Sequence, residues 1–165
     1  MNELLLRTAF ACMSCDGDIA SEEVDMIKQM SKDKHLFGDI DIDKELGELV
    51  KEINEKGKGF LKHYLMNLAE LSLSEEQELN IADVAVQTIR SDKKIEYSEI
   101  KFFKVIRSNL KTVSDETLLE KIEGIDDNYL AQDIRADYLQ MYDDYFNTIE
   151  LPQFELFKAE QPENN

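Results

Sequence analysis

Apolar residues recur at steps of three and four along most of this chain, the spacing that lines one face of an α-helix. Leu5, Ala9, Cys12 and Met13 predict a first helix over about residues 2 to 14, closed by Asp16-Gly17-Asp18. Gly17 suits that stop because glycine takes a left-handed backbone that most residues resist. Val24, Ile27 and Met30 stripe a second helix that starts near Ser21, a residue suited to an N-cap. Its first turn holds Glu22, Glu23 and Asp25, where negative charge meets the positive end of the helix dipole. After a connection over 36–43, Leu46, Leu49, Val50 and Ile53 predict a third helix, broken by Gly57 and Gly59, and Leu61, Leu65 and Leu68 predict a fourth. Ser74-x-x-Gln77 is a capping-box pattern. It opens a fifth helix carrying Leu79, Ala82, Val86 and Ile89. Ile100, Phe103, Ile106 and Leu110 mark a sixth helix from near Ser98, and Leu118, Leu119 and Ile122 a short seventh, capped at Ser114 or Asp115. Leu130, Ile134, Tyr138, Met141 and Tyr145 predict a long last helix over about 127 to 148, with Pro152 barring continuation.

The same pattern contains a repeat at an offset of 76 residues. Ala9-Phe10 matches Ala85-Val86, Met13 matches Ile89, Asp16 matches Asp92, Ile19 matches Ile95, Glu23-Val24 matches Glu99-Ile100, Ile27 matches Phe103 and Met30 matches Ile106. Each copy reads as apolar helix, acidic break, isoleucine, acidic helix start, apolar helix. One hairpin cannot bury its own stripe, so the two are expected to pack as a pseudo-symmetric pair about one core. The fold expected is an all-α bundle of seven to eight helices built on two pseudo-symmetric hairpins. Its bundle covers residues 1–125, and an acidic, aromatic-rich C-terminal helix and tail covers 126–165.

Composition narrows the function classes. With 165 residues, 6 Gly and 2 Pro, the chain suits one helical domain rather than a turn-rich β architecture. The net charge of −17 repels phosphate backbones. The longest basic cluster, Lys56, Lys58, Lys62 and His63, is too thin to reverse that, so direct nucleic-acid binding is not expected. No stretch approaches the roughly 20 apolar residues of a membrane span. The N-terminal apolar run is broken by Arg7 and lacks a basic region and a cleavage site, so a cytoplasmic protein is expected. Cys12 and Cys15 have the spacing of a redox pair or of half a zinc site. There is no second pair, and His35 and His63 lie far along the chain, which favours core and helix-end roles.

The first acidic break resembles the back half of a calcium loop. With Gly17 at loop position 6, Glu23 falls at position 12, but positions 1 and 3 become Cys12 and Ser14. An ordinary EF-hand is therefore not expected. Asp16, Asp18 and Glu23 leave a weak, partly hydrated Ca²⁺ or Mg²⁺ site open, although Asp and Gly are also ordinary turn residues. In the second copy Lys93 and Lys94 replace Gly17 and Asp18. A cation site at that break would be the poorer of the two.

The run Ala9-Phe10-x-x-Met13-x-x-Asp16-Gly17-Asp18-Ile19-x-x-Glu22-Glu23-x-x-x-Ile27, with its second copy from Ala85 to Ile106, is similar to the two signatures of TerB-like domains. That family takes in tellurite-resistance TerB and the N-terminal domain of the membrane-anchored DjlA co-chaperone. The resemblance covers about residues 1–111. It implies an all-helical bundle, a cation site made by acidic residues, and a bacterial stress or phage-defence setting as an accessory subunit. Asp16, Glu23, Asp92 and Glu99 match the family's acidic positions, and Asp18 lies in the same turn. The function expected is a non-enzymatic adaptor that binds a protein partner, such as an ATPase or nuclease subunit. The alternative is a divalent-cation-binding stress-resistance protein that uses the turn Asp16 to Glu23.

The acidity is uneven. Residues 126–165 carry ten acids against two bases, about half of the net charge, together with seven of the fourteen aromatics. A basic protein partner would meet its strongest field there. Tyr142, Phe146, Phe154 and Phe157 are the candidate partner contacts. The alternating segment from Leu151 to Phe157 has two placements open to it, across its own domain or on a partner.

Overall fold

In the computed structural model the described residues are 2–34, 37–91, 95, 97–125, 129–130 and 138–154. They form eight helices and no strand: α1 Asn2–Ser14, α2 Ser21–Lys34, α3 Ile42–Lys56, α4 Lys58–Glu70, α5 Glu75–Ser91, α6 Tyr97–Ser108, α7 Asp115–Lys121 and α8 Tyr138–Thr148. The all-α bundle expected from the stripe spacing is present. Among the described residues, no helix is long and apolar enough to cross a membrane.

The two repeats pack about a central pair, α1 against α5. α2 leans chiefly on α5, while α6, packed mainly on α8 and on its own partner α5, also touches α1. Matched positions are matched in burial: Ala9 and Ala85, Phe10 and Val86, Met13 and Ile89, and Ile27 and Phe103 are all enclosed. The hairpin α3–α4 covers α1, where Phe10 meets Phe60 edge to face at 5.5 Å between ring centroids. α8 closes the far side on α6, where Phe102 and Tyr145 lie 5.1 Å apart.

Local signals explain most boundaries. The capping box is reciprocal: the Ser74 N–H donates to Gln77 Oε1 at 2.9 Å, and the Gln77 N–H donates to Ser74 Oγ at 3.1 Å. Ser114 caps α7 through the Thr117 N–H, and Asp41 caps α3 through the Lys44 N–H. Gly57 alone divides α3 from α4, at φ 57°, and Gly59 sits inside α4 rather than in the break. At α2 the expected cap differs. Ser21 is already helical and its hydroxyl turns to Glu22, while Glu23 reaches back to the Ala20 N–H. Of the long last helix expected over 127–148, the described helical part is Tyr138–Thr148. Leu130 is buried before it, and Ile134 lies outside the described residues.

Candidate functional site

The repeat places Glu23 at the third position of α2 and Glu99 at the third position of α6. A carboxylate at this position faces its own helix's open N–H groups, which favours it there. With α2 leaning chiefly on α5 and α6 also touching α1, the two helix starts converge beside the end of α1. Both glutamates are enclosed, at 1% and 0% exposure, and their carboxyls lie close enough for Glu99 to act on Glu23. Glu23 Oε1 also accepts the Ala20 N–H at 3.0 Å.

Two carboxylates in contact away from water cannot both stay ionised, so the pair holds a proton between them. Burial is the main cause, pushing the Glu23 carboxyl up to about 10. Glu99 and Asp16 push in the same direction, and the Ala20 hydrogen bond opposes them. The same enclosure raises the Cys12 and Cys15 thiols well above their ordinary value, burial first; after it come the neighbouring acids at Cys12, and at Cys15 the Cys12 thiol and then the acids. The Cys15 thiol donates to the Cys12 carbonyl at 3.2 Å. Both cysteines are free, fully enclosed and protonated, so they are core groups rather than a reactive pair.

Of the five acids singled out in the sequence, Glu23 and Glu99 meet. Asp16 is half-buried at the edge of the joint, where it accepts the Asp18 N–H at 3.0 Å as an Asx-turn does. Asp18 is exposed and stays out of the joint. Asp92 lies outside the described residues. α1 runs through Cys12 and Ser14 to its end, so no EF-hand loop forms there.

The donor chemistry of the joint suits a hard cation, since Glu23, Glu99 and Asp16 offer only oxygen. Ca²⁺ asks for six to eight oxygens, whereas Mg²⁺ is held through one or two carboxylates with water completing its shell. The pair supplies the carboxylates for the smaller demand, but, enclosed as it is, the joint would have to open to admit the ion and its water. Among the described residues, no group of three or more His, Cys, Asp or Glu is arranged to hold a metal ion.

The four candidate aromatics divide differently. Phe146 is buried, and Tyr142 and Phe154 are half-buried against the bundle; Phe157 lies outside the described residues. Sequence reasoning missed three long-range polar ties. Tyr145 donates its hydroxyl to the Cys15 carbonyl at 2.6 Å, joining α8 to the end of α1. Glu78, enclosed at 2%, accepts the N–H groups of Lys111, Thr112 and Val113 at 2.9, 2.7 and 2.8 Å. Asn54 holds Phe154 by two hydrogen bonds. The 3.6-residue period finds apolar stripes and is silent on polar groups that bury themselves against distant backbone.

No protein-family model, curated protein or solved structure matches this chain.

Proposed function

We propose that this chain is a non-enzymatic, TerB-like accessory module whose acidic joint takes a divalent cation, Mg²⁺ before Ca²⁺. The observation that carries this reading is the meeting of Glu23 and Glu99, one from each repeat, in an enclosed carboxyl pair. A bound cation would supply the positive charge that a shared proton supplies in its absence. The two glutamates would hold it, with Asp16 at the edge. The resemblance of the two acidic signatures to TerB-like domains supports the same assignment, with a cytoplasmic bacterial stress-response or phage-defence setting.

The test is a melting curve with and without 10 mM Mg²⁺, Ca²⁺ or Mn²⁺. A millimolar Kd would add roughly 1.4 kcal/mol at that concentration. That is about 3–6 °C for a chain of this size. The shift should be larger at pH 8 than at pH 6, since the cation replaces a proton, and absent in Glu23→Gln and Glu99→Gln. An unchanged melting temperature with all three cations sinks the proposal.

A second reading, docking of a protein partner as an adaptor subunit, is favoured by charge. The chain carries −17, and Asp143, Asp144 and Glu150 stand exposed on and just after α8. A basic surface on an ATPase or nuclease subunit would complement them, whereas nucleic acid and an anionic membrane would be repelled. Co-purification that weakens with rising salt supports this reading, and its absence at low salt counts against it.

A further inference from the structure

The offset of 76 residues gives each surface of one half a counterpart in the other. Met26, Gln29 and Met30 of α2 answer to Phe102, Val105 and Ile106 of α6, and Asp83 and Gln87 of α5 answer to Arg7 and Ala11 of α1. On the α1–α6 side this surface is closed. Phe102, Val105, Ile106 and Ala11 have no exposure. The rings of Tyr64 on α4 and Tyr145 on α8 lie 6.4 and 5.1 Å from that of Phe102. Arg7 stands 5.7 Å from the Phe60 ring of α4 and pairs with Glu52 of α3 at 3.1 Å. On the α2–α5 side the counterpart surface is open. Met26, Asp83 and Gln87 are half-buried there and Gln29 is exposed, around a groove of about 340 Å³.

Topology explains the difference. α4 packs across α1 and α6. The same offset carries α4 onto residues 134–146, and α8 begins inside that stretch, at Tyr138. α8 packs on α6 beside α4, where Lys58 and Lys62 meet Phe146, rather than across α5 and α2. Among the described residues, the place on α5 and α2 that answers to α4 therefore holds no helix. Its chemistry differs to match. Phenylalanine and isoleucine give way to Met26 and Met30, whose flexible thioethers adapt to more than one partner. Asp83 stands where the other half has Arg7. Asp33 and Asp83 accept from the neighbouring amides of Gln29 and Gln87, at 3.3 and 3.2 Å. Among the described residues no lysine or arginine pairs with Asp33, Asp83 or Glu123. The lining sets these three acids against one base, Lys121.

We infer that the α2–α5 groove is a docking seat for a helix of another protein, held there as α4 is held on α1 and α6. That helix lays an apolar stripe on Met26 and Met30 and sets a lysine or arginine against Asp83. The base follows from the resident pairing: Arg7 meets the acid Glu52, and with an acid in Arg7's place the sign reverses. Residues 155–165 of this chain carry three acids against one base, so the groove repels them. The inference rests on the partner-docking reading above and gives it one surface and one ligand chemistry.

The test titrates the full-length chain with two fluorescent, helix-stapled peptides of residues 58–70. One has the α4 sequence, and the other carries Phe60→Lys, which puts a base where α4 meets Arg7 and hence opposite Asp83 in the groove. The lysine peptide should bind with a Kd below about 100 μM at low salt. It should bind about tenfold tighter than the α4 peptide, with the gap closing as salt rises. Asp83→Lys should weaken it by about tenfold or more. Glu48→Lys, the same charge change on an exposed part of α3, should cost no more than about twofold. Amide shifts on binding should centre on residues 26–33 and 83–87. Asp83 is half-buried and in no ion pair among the described residues, so the variant should keep the wild-type melting curve. Failure of the lysine peptide to bind at about 1 mM overturns the inference, as does binding indifferent to Asp83. Shifts centred on α1 and α6 overturn it too, because the peptide would then be displacing α4. Binding about tenfold tighter to a chain ending at Phe154 would assign the groove to this chain's own tail, and a dimer abolished by Asp83→Lys would assign it to a second copy. Either result overturns the foreign helix. A partner that co-purifies equally with the Asp83→Lys chain overturns the groove and leaves the adaptor reading standing.

Discussion

Removing one oxygen, by Tyr145→Phe, tests whether α8 belongs to the cooperative unit. Tyr145 is fully enclosed among Phe102, Phe146 and the end of α1. Its ring stays in the variant, so no cavity opens and the apolar contacts remain. What is lost is the 2.6 Å bond to the Cys15 carbonyl, which links residues 130 apart in the chain. That carbonyl sits where α1 has just ended, and no other hydrogen bond to it is found among the described residues. A buried carbonyl left without a partner costs about 1–3 kcal/mol. For a chain of this size each kcal/mol moves the melting temperature by about 2–4 °C. The expected loss is therefore about 2–12 °C, read by circular dichroism, with a lower urea midpoint and an unchanged denaturant slope. Hydrogen exchange sharpens the result. If the bond ties α8 to the bundle, amides of Tyr142 to Thr148 should lose protection more than those of α1. A variant within 0.5 °C of wild type with α8 equally protected would refute the reasoning, because the tie would then be carrying nothing.

The carboxyl joint gives a pH prediction whose sign can be worked through. Glu23 is raised in the native state to about 10 from an ordinary 4.5. The unfolded chain releases that proton near pH 4.5 and the native chain keeps it. The stability it contributes is therefore complete below about pH 4.5 and is lost as pH rises toward 10. Metal-free wild-type protein should lose stability relative to Glu23→Gln by up to about 1.4 kcal/mol per pH unit within that window. Parallel pH profiles would mean that no proton is shared. Glu78→Ala should cost roughly 3 kcal/mol or more in urea unfolding, since it strips three loop N–H groups of a charged acceptor. A loss below 1 kcal/mol, by the same order of reckoning, would show that the loop finds other partners. Cys12 and Cys15 should react with iodoacetamide only on unfolding, with labelling rates that follow denaturant. Rapid labelling of the native protein contradicts their enclosure.

The helices and the internal repeat were legible in the residues alone. Apolar spacing, the Ser74-Gln77 box and the glycine at residue 57 are local signals, and each acts within one or two turns of chain. The same logic matched Glu23 to Glu99 by position. It could not show that they come together, because that depends on how α2 and α6 pack on the α1–α5 pair. Sequence offered Asp16, Asp18 and Glu23 as one acidic turn. Packing split them by burying Glu23, leaving Asp16 at the edge and turning Asp18 outward. Phe146 and Phe154 were both candidate partner contacts, and only the segment holding Phe154 also had its own domain open to it, since an aromatic's apolar surface does not name what it will meet. Asn54 and Lys58, which bond the backbone of Phe154 and Phe146, placed both on this chain. The ties at Tyr145, Glu78 and Asn54 bridge residues 33 to 130 apart. Periodicity carries no information at that range. The residues by themselves determined which faces are apolar and where helices begin and end. The tertiary structure decided which polar groups meet once those faces close, because only closure removes the water that would otherwise satisfy each group alone.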